Sequence, residues 1–394
     1  MTLTLRKQVA LVLGAATLIA AQASAAVARP AASSSSSSTT TTQQLRRDTA
    51  AIQALGISGV QARVIGPDGR QSVATAGTAD VNTGGPVDPD GYFRMASTSK
   101  TLVATVLLQL EAEGRLSLDD KVERWLPERV QGKHLDGRRI TLRDLLQHTS
   151  RIRDGLPGYN TPEEYEDQRY KVYSSDELVD DSLKVPGRRG WGYANTNYIL
   201  AGMVIQKATG RPAHQEIEDR VLRPLGLDRT RWLGTSPTLP EPHARAYQFF
   251  DAEHRIDVTE QVPVDHEILS FVSTTRDENL LFRGLLSGRL LPAAQLAEMK
   301  ATVEVSPDLT RMWGKGSGYG LGLVERRLTC GGTYWGHEGG DGGYITLNGV
   351  TADGRRSAVV SMSEALGDSP AHIEQQERAG SALIDHALCA GDAR

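Results

Sequence analysis

Strand-like segments stand at both ends of the folding part of this chain, with a helix-like stretch between them, and this split limits the possible folds more than any other feature. Gly59 to Ile65 and Arg70 to Ala76 flank Pro67-Asp68-Gly69, which predicts a hairpin. Near the other end, Tyr319 to Leu328, Thr333 to Trp335, Tyr344 to Asn348 and Arg356 to Met362 read as strands. Asp353-Gly354 reads as a turn there, and Pro370 to Leu388 as a helix. Between these β-rich ends lies a mostly helical middle punctuated by Gly and Pro. One sheet assembled from both chain ends, with helices on its faces and an all-α insertion, is the economical architecture. The α/β part is placed at about 51–140 and 275–394 and the helical part at about 141–274.

With 394 residues, 39% of them hydrophobic and 23% charged, the chain can bury a substantial core. Its net charge of −4 gives no sign of a nucleic-acid binder. Arg6 and Lys7 precede an apolar run from Val9 to Ala21, followed by small residues, so residues 1–25 are expected to be a secretory signal peptide cleaved near Ala25 or Ala28. The alternative is a retained membrane anchor, but a bilayer core needs about 20 apolar residues and this run is shorter. A secreted, monomeric protein with no stable membrane anchor is the expectation. Residues 26–50, with Ser33 to Ser38 followed by Thr39 to Thr42, read as a disordered Ser/Thr-rich tether. The folded domain is expected over 51–394.

The two cysteines, Cys330 and Cys389, lie in the exported part. In an oxidising compartment they are expected to pair, stapling the last helix to the strand before His337. Two buried free thiols are the alternative.

Three short motifs carry the chemistry. Ser97-Thr98-Ser99-Lys100 opens an apolar helical run, Thr101 to Glu111, that Gly114 stops. One helical turn separates Ser97 from Lys100, so the amine can reach the hydroxyl, and the helix N-terminus favours an oxyanion. Read alone, Ser97 is a helix cap. Tyr193-Ala194-Asn195 sits in a loop entering a helix that Gly210 ends. A phenol beside an ammonium is expected to have a lowered pKa and to pass protons, and Asn195 can hold a substrate amide. As isolated residues, both are ordinary turn formers. His337-Glu338-Gly339-Gly340 is a glycine-rich strand edge that a ligand could approach closely, or a loop of purely structural purpose. It lacks the ending of a phosphate loop.

These motifs, with Leu145 to Ser150, Arg223 to Leu227, Ser273-Thr274 and Tyr319 to Gly322, resemble the class C β-lactamase-like serine hydrolases and penicillin-binding proteins across about Gly59 to Cys389. The resemblance is strongest to secreted D-alanyl-D-alanine carboxypeptidases, which carry a cysteine pair placed like Cys330 and Cys389. It implies a β-lactamase/transpeptidase-like α/β fold with an antiparallel sheet. Ser97 would form an acyl-enzyme, with Lys100 and Tyr193 sharing the base role. The N–H groups of Ser97 and Gly340 would form the oxyanion hole, and Asn195, His337, Glu338 and Gly339 would line the substrate. No metal or cofactor is implied. The implied partners are a small peptide, amide or ester, including cell-wall peptides, and β-lactams as acylating inhibitors.

Departures from the pattern bear on the substrate. The carboxypeptidases commonly have Thr at the Glu338 position and an arginine at the Val324 position, both used to bind a terminal carboxylate. A Glu about 4 Å from that carboxylate would repel it by ~4 kcal/mol at an effective dielectric near 20. Arg326 shares a strand face with Val324 and could reach back. Arg151 stands where relatives usually have Gly, and Glu267 to Phe271 is bulkier than the usual stretch before Ser273-Thr274. The leading expectation is a D-alanyl-D-alanine carboxypeptidase. The alternatives are the same acyl-enzyme chemistry on another substrate (D-amino-acid amidase, aminopeptidase, esterase, β-lactamase or peptide cyclase) and a catalytically silent binding module.

Overall fold

The computed structural model describes residues 34–390. The expected signal peptide and its cleavage position lie outside the described residues. Among the described residues, nine strands form one sheet: β1 (Gly59–Ile65), β2 (Gln71–Gly77), β3 (Val303–Glu304), β4 (Gly318–Tyr319), β5 (Val324–Arg327), β6 (Thr333–Gly336), β7 (Gly339–Asp341), β8 (Tyr344–Thr351) and β9 (Ser357–Met362). Their order is β3-β4-β5-β6-β8-β9-β1-β2, with β7 beside β8, and every pairing is antiparallel. The two chain ends meet where β1 pairs with β9, Val60 opposite Met362 and Ile65 opposite Ser357.

Helices α1 (Ser34–Gln53), α2 (Ser99–Ala112), α3 (Thr196–Thr209), α4 (Thr275–Leu286) and α5 (Pro370–Cys389) complete the frame. Successive side chains of a strand point to opposite faces, and β1 is buried along its whole length because both faces are covered. Val60, Ala62 and Val64 join Leu45, Ile52, Leu383 and Ile384 in the core beneath α1 and α5. Arg63, on the other face, bonds Thr275 of α4. A second core gathers Leu102, Val106 and Leu110 of α2 with Ile199 and Val204 of α3. Each such fully buried aliphatic side chain stabilises by roughly 1.5–3 kcal/mol.

Three expectations are corrected. The tether assigned to residues 26–50 gives way to helix from Ser34 onward. Leu45, Thr49 and Ile52 fall at helical spacing and are buried, and the Thr49 hydroxyl is satisfied by Leu45 O at 3.0 Å. The Ser/Thr run masked this apolar stripe. The insertion is also not all-α: Arg231–Trp232, Tyr247–Phe249, Arg255–Asp257 and Phe271–Ser273 are short strands. Phe271–Ser273 pairs with Phe93–Arg94, so the approach to Ser97 is clamped to the middle of the chain.

The third correction concerns Tyr319 to Leu328, which is two strands and not one. Gly322 turns between them with φ of 70°, and a Cβ there would sit 2.9 Å from Lys100 O. Thr101 donates to Gly322 O at 2.7 Å, which ties this turn to α2. The Cys330–Cys389 disulfide is formed, joining the β5–β6 loop to the end of α5 across a separation of 59 residues. Closing a loop of that size contributes on the order of 4 kcal/mol.

Candidate active site

Ser97 lies in a single 3₁₀ turn, Ala96–Thr98, that runs directly into α2. Ala96 before it has φ of 47°, a left-handed conformation that costs a non-glycine residue about 1 kcal/mol or more and bends the chain at the nucleophile. Neither Met95 nor Thr98 caps its helix through a side chain. The Ser97 hydroxyl instead accepts from Lys100 Nζ at 2.9 Å. The Ser97 side chain is thus engaged in a hydroxyl–amine pair with Lys100.

Lys100 is fully buried, and its ammonium also donates to Asn195 Oδ1 at 2.7 Å. Burial lowers its pKa to about 8, although the carboxylates of Asp265 and Asp154 pull in the opposite direction. Asp154 accepts from the backbone and side-chain nitrogens of Asn195, and from the backbone N–H and hydroxyl of Thr196 at the start of α3. Four donors saturate this carboxylate and fix Asn195. Asp265 is different: both its oxygens are buried without a hydrogen-bond partner among the described residues. Burial raises its pKa to about 7, against the pull of Lys100.

The Tyr193 ring lies 5.0 Å from Lys100 Nζ. The expected lowering of its pKa does not hold. Burial pushes the phenol well above its ordinary value, against an opposing hydrogen bond with Ser97. The cation faces the ring, so the phenolate gains little while desolvation counts in full. Tyr193 is therefore a neutral phenol that can give a proton, and Lys100 is the group placed to take one.

The opposite wall is the third motif. The strand lapses at His337 and Glu338, and the Asn348 side chain replaces the ladder there. Its Oδ1 accepts from His337 N and its Nδ2 donates to His337 O, both at 2.8 Å. Gly339 has no alternative, because a Cβ would lie 2.1 Å from Met95 O, just before the nucleophile. Gly340 follows in β7, opposite Ile345.

Donor logic fixes the His337 tautomer. His148 Nδ1 faces two N–H donors, Ala194 N at 3.3 Å and Asn197 Nδ2 at 3.0 Å, so it is the acceptor nitrogen. His148 Nε2–H then donates to the Tyr319 hydroxyl at 3.2 Å, which in turn donates to His337 Nε2 at 2.9 Å. His337 Nδ1–H closes the chain on Glu338 O at 2.8 Å. Both imidazoles are thus neutral. Burial and the nearby Lys100 lower His337 to about 4 and hold His148 well below its ordinary value.

Glu338 does not stand as a free repelling charge. Arg326 reaches back as strand alternation allowed, but its guanidinium lands on Glu338 at 2.5 Å and on Glu377 at 3.0 Å. Trp313 Nε1 donates to the other Glu338 oxygen at 2.5 Å. Burial opposes ionisation of Glu338, yet Arg326 outweighs it and its pKa is lowered. Glu377 is driven up to about 8, first by burial and then by Glu338. Near neutral pH the trio carries one ionised carboxylate, one guanidinium and one protonated acid, and is close to net neutral. Val324 packs against Trp313 and Tyr319.

The structure thus brings Ser97, Lys100, Tyr193, Asn195, His337 and Gly339 into one cleft. No motif in the sequence marks Asp154, Asp265, Asn348 or the Arg326–Glu377 pair as site components, while His148 and Tyr319 fall within segments that carry the family resemblance.

A serine hydroxyl bonded to a buried amine, beside a neutral phenol and a strand edge packed against the serine's own turn, is an arrangement that serine acyl transfer can use. Comparison with known proteins agrees: residues 45–382 match the Beta-lactamase family model, and the chain belongs to that family. It is similar to a D-stereospecific amidohydrolase from Streptomyces sp., with 35% identity and a TM-score of 0.76 over 85% of this chain and 98% of that one. The D-amino acid amidase of Ochrobactrum anthropi SV3 shares 26% identity, with a TM-score of 0.73 over 87% and 97% of the two chains. A penicillin-binding protein of Bacillus subtilis (strain 168) is 32% identical over 161 residues, 39% of this chain. That alignment spans 34%, about a third, of the relative's length.

Proposed function

We propose that this chain is an exported serine hydrolase that forms an acyl-enzyme at Ser97 with D-aminoacyl amides or esters lacking a free terminal carboxylate. The observation that carries this reading is the closed Glu338–Arg326–Glu377 trio. The Arg326 guanidinium beside Glu338 is already committed to two acids, so an incoming carboxylate finds that cation occupied. Lys100, lowered to about 8, takes the Ser97 proton, and neutral Tyr193 returns one to the leaving amine or alcohol. Backbone N–H groups of Ser97 and Gly340 are the expected oxyanion donors, each worth about 3–4 kcal/mol in such sites. The likeness to a D-stereospecific amidohydrolase over nearly the whole fold supports the substrate class.

The second reading, a D-alanyl-D-alanine carboxypeptidase acting on cell-wall peptides and acylated by β-lactams, is favoured by the penicillin-binding relative. One experiment separates the two. The secreted protein and Ser97→Ala are incubated with D-phenylalanine amide, a D-Ala-D-Ala peptide, a fluorescent penicillin and a fluorophosphonate, and product and intact mass are followed. Amide turnover with a fluorophosphonate adduct, and little D-Ala release, supports the amidohydrolase. Dominant D-Ala release with a stable penicillin adduct supports the carboxypeptidase. No adduct with either probe sinks both.

A further inference from the structure

The flank of the cleft formed by residues 151–154 and 188–195 carries a charge that the mechanism does not use. Arg151, Arg153, Arg188 and Arg189 have no acidic ion-pair partner among the described residues. The segments are joined, since Arg188 N donates to Arg151 O at 2.9 Å. Arg188 lies against the catalytic loop: it donates to Tyr193 O at 3.3 Å, and a Cβ on Gly192 would sit 2.0 Å from its Nη1. Its Nε is buried and unpartnered. Asp154, the carboxylate nearest in sequence to Arg153, is saturated by its four donors from Asn195 and Thr196. Burial and then repulsion from Arg153 lower the Arg188 pKa, while Asp154 pulls the other way and offsets them only in part.

Two further observations turn the patch into a site. Arg151 adopts φ of 72°, the left-handed region that Gly occupies without penalty, so a charged side chain is held at a backbone position that disfavours it. Arg151 also borders a cavity of about 610 Å³ with His134, Arg139 and Ser150, within the usual size range of ligand pockets. Of the two acids lining that cavity, Asp136 is paired with Arg138, while Asp144 is hydrogen-bonded by the Thr141 and Thr149 hydroxyls and keeps its negative charge, which Arg139 and Arg151 on the same lining must outweigh.

We infer that this arginine flank and its cavity form a subsite for an anionic group of the substrate, a carboxylate or a phosphate, remote from the bond that Ser97 attacks. The inference deepens the proposed function and rests on it. Anion recognition is displaced from the strand wall, where Arg326 is closed off, to the loop side, so the enzyme takes D-aminoacyl amides or esters that carry a negative charge away from the scissile carbonyl.

The test uses alkyl fluorophosphonates of equal length, at two lengths, whose tails end in a methyl ester, a carboxylate or a phosphate. The rate of Ser97 labelling is followed by intact mass. The anionic tails are expected to label about tenfold faster than the ester at low salt, with the advantage shrinking as ionic strength rises. The faster of the two anions identifies the group the subsite fits. Arg151→Gly combined with Arg153→Gln is expected to remove the advantage. Arg151→Gly alone reduces it while Tm stays level or rises, which a merely structural arginine would not do. Equal rates for all tails, or an advantage that survives the double variant, overturns the inference while leaving the serine hydrolase intact. No labelling by any tail removes the nucleophile assignment and this subsite with it.

Discussion

The two walls of the cleft handle charge in opposite ways. On the helical side, Lys100, Asp265 and Asp154 bring one amine and two carboxylates together, with Lys100 near 8 and Asp265 near 7, so protons move there in the working range of pH. On the strand side, His337 and Glu338, the ionisable groups at the cleft wall, hold fixed charge states, and only Glu377 behind them, raised to about 8, titrates in that range. His337 is locked neutral by Tyr319, and Glu338 is neutralised by Arg326. Chemistry lives where charge can change, and selectivity where it cannot. With that division, protons can move beside Ser97 while the Arg326 guanidinium on the strand wall stays paired.

The strongest way to break the comparison is to remove the mobile side. Ser97→Ala should abolish fluorophosphonate labelling, and Lys100→Ala should lower kcat/KM by about 10³-fold or more, because the hydroxyl loses the buried amine bonded to it. Steady-state kinetics beside intact mass checks both. Lys100→Ala labelling at the wild-type rate would undo the assignment of the base.

Removing the fixed side should act on stability first. Arg326→Leu leaves Glu338 buried beside Trp313 without its cation, and is expected to cost about 3–5 kcal/mol. Adding Glu338→Gln should recover much of that loss, as read by urea unfolding. Glu338→Thr alone frees one arm of Arg326. It should raise kcat/KM for a D-Ala-D-Ala peptide relative to D-phenylalanine amide, and no change in that ratio would mean the closed trio does not set selectivity.

The helical side was legible in the sequence because its information is local. One helical turn sets the Ser97–Lys100 geometry, and Gly114 and Gly210 end α2 and α3 where expected. The hairpin of β1 and β2 was legible for the same reason. The strand side was not, because its charge balance is made from afar. Glu377 lies 51 residues beyond Arg326 and meets it only when α5 packs on the sheet. Alternation placed Arg326 on the right face but could not say that a second acid would share it. Helix α1 had a signal, in the spacing of Leu45, Thr49 and Ile52, that the Ser/Thr composition before it concealed. The direction of the Tyr193 shift was misjudged because sequence shows the neighbouring ammonium and not the depth of burial.

A smaller effect tests the lock on His337. Tyr319→Phe removes the O–H that donates to His337 Nε2, a bond available only to the neutral ring, so the His337 pKa should rise from about 4. The groups facing this ring are Lys100, which opposes its protonation, and Glu338, which favours it, while Arg326 again opposes it. A new acidic limb should enter the pH profile, with activity falling several-fold below about pH 6, while the rate on the plateau changes little. An unchanged profile would show that burial alone holds the ring neutral.

The smallest expected effect sharpens the mobile side. The base form of Lys100 populates as pH rises through about 8, so kcat/KM should climb over that interval and then level off. Asp265 favours the ammonium, and Asp154 does the same from the Asn195 side. Asp265→Asn removes one of these attractions, so Lys100 should release its proton more readily and the limb should move to lower pH. Because the two groups titrate as a pair, wild type should show a broadened limb, and the variant a single ionisation. A limb that does not move would mean that Asp265 is already protonated in the working enzyme and exerts no charge on Lys100, which would leave Asp154 as the carboxylate that holds the ammonium.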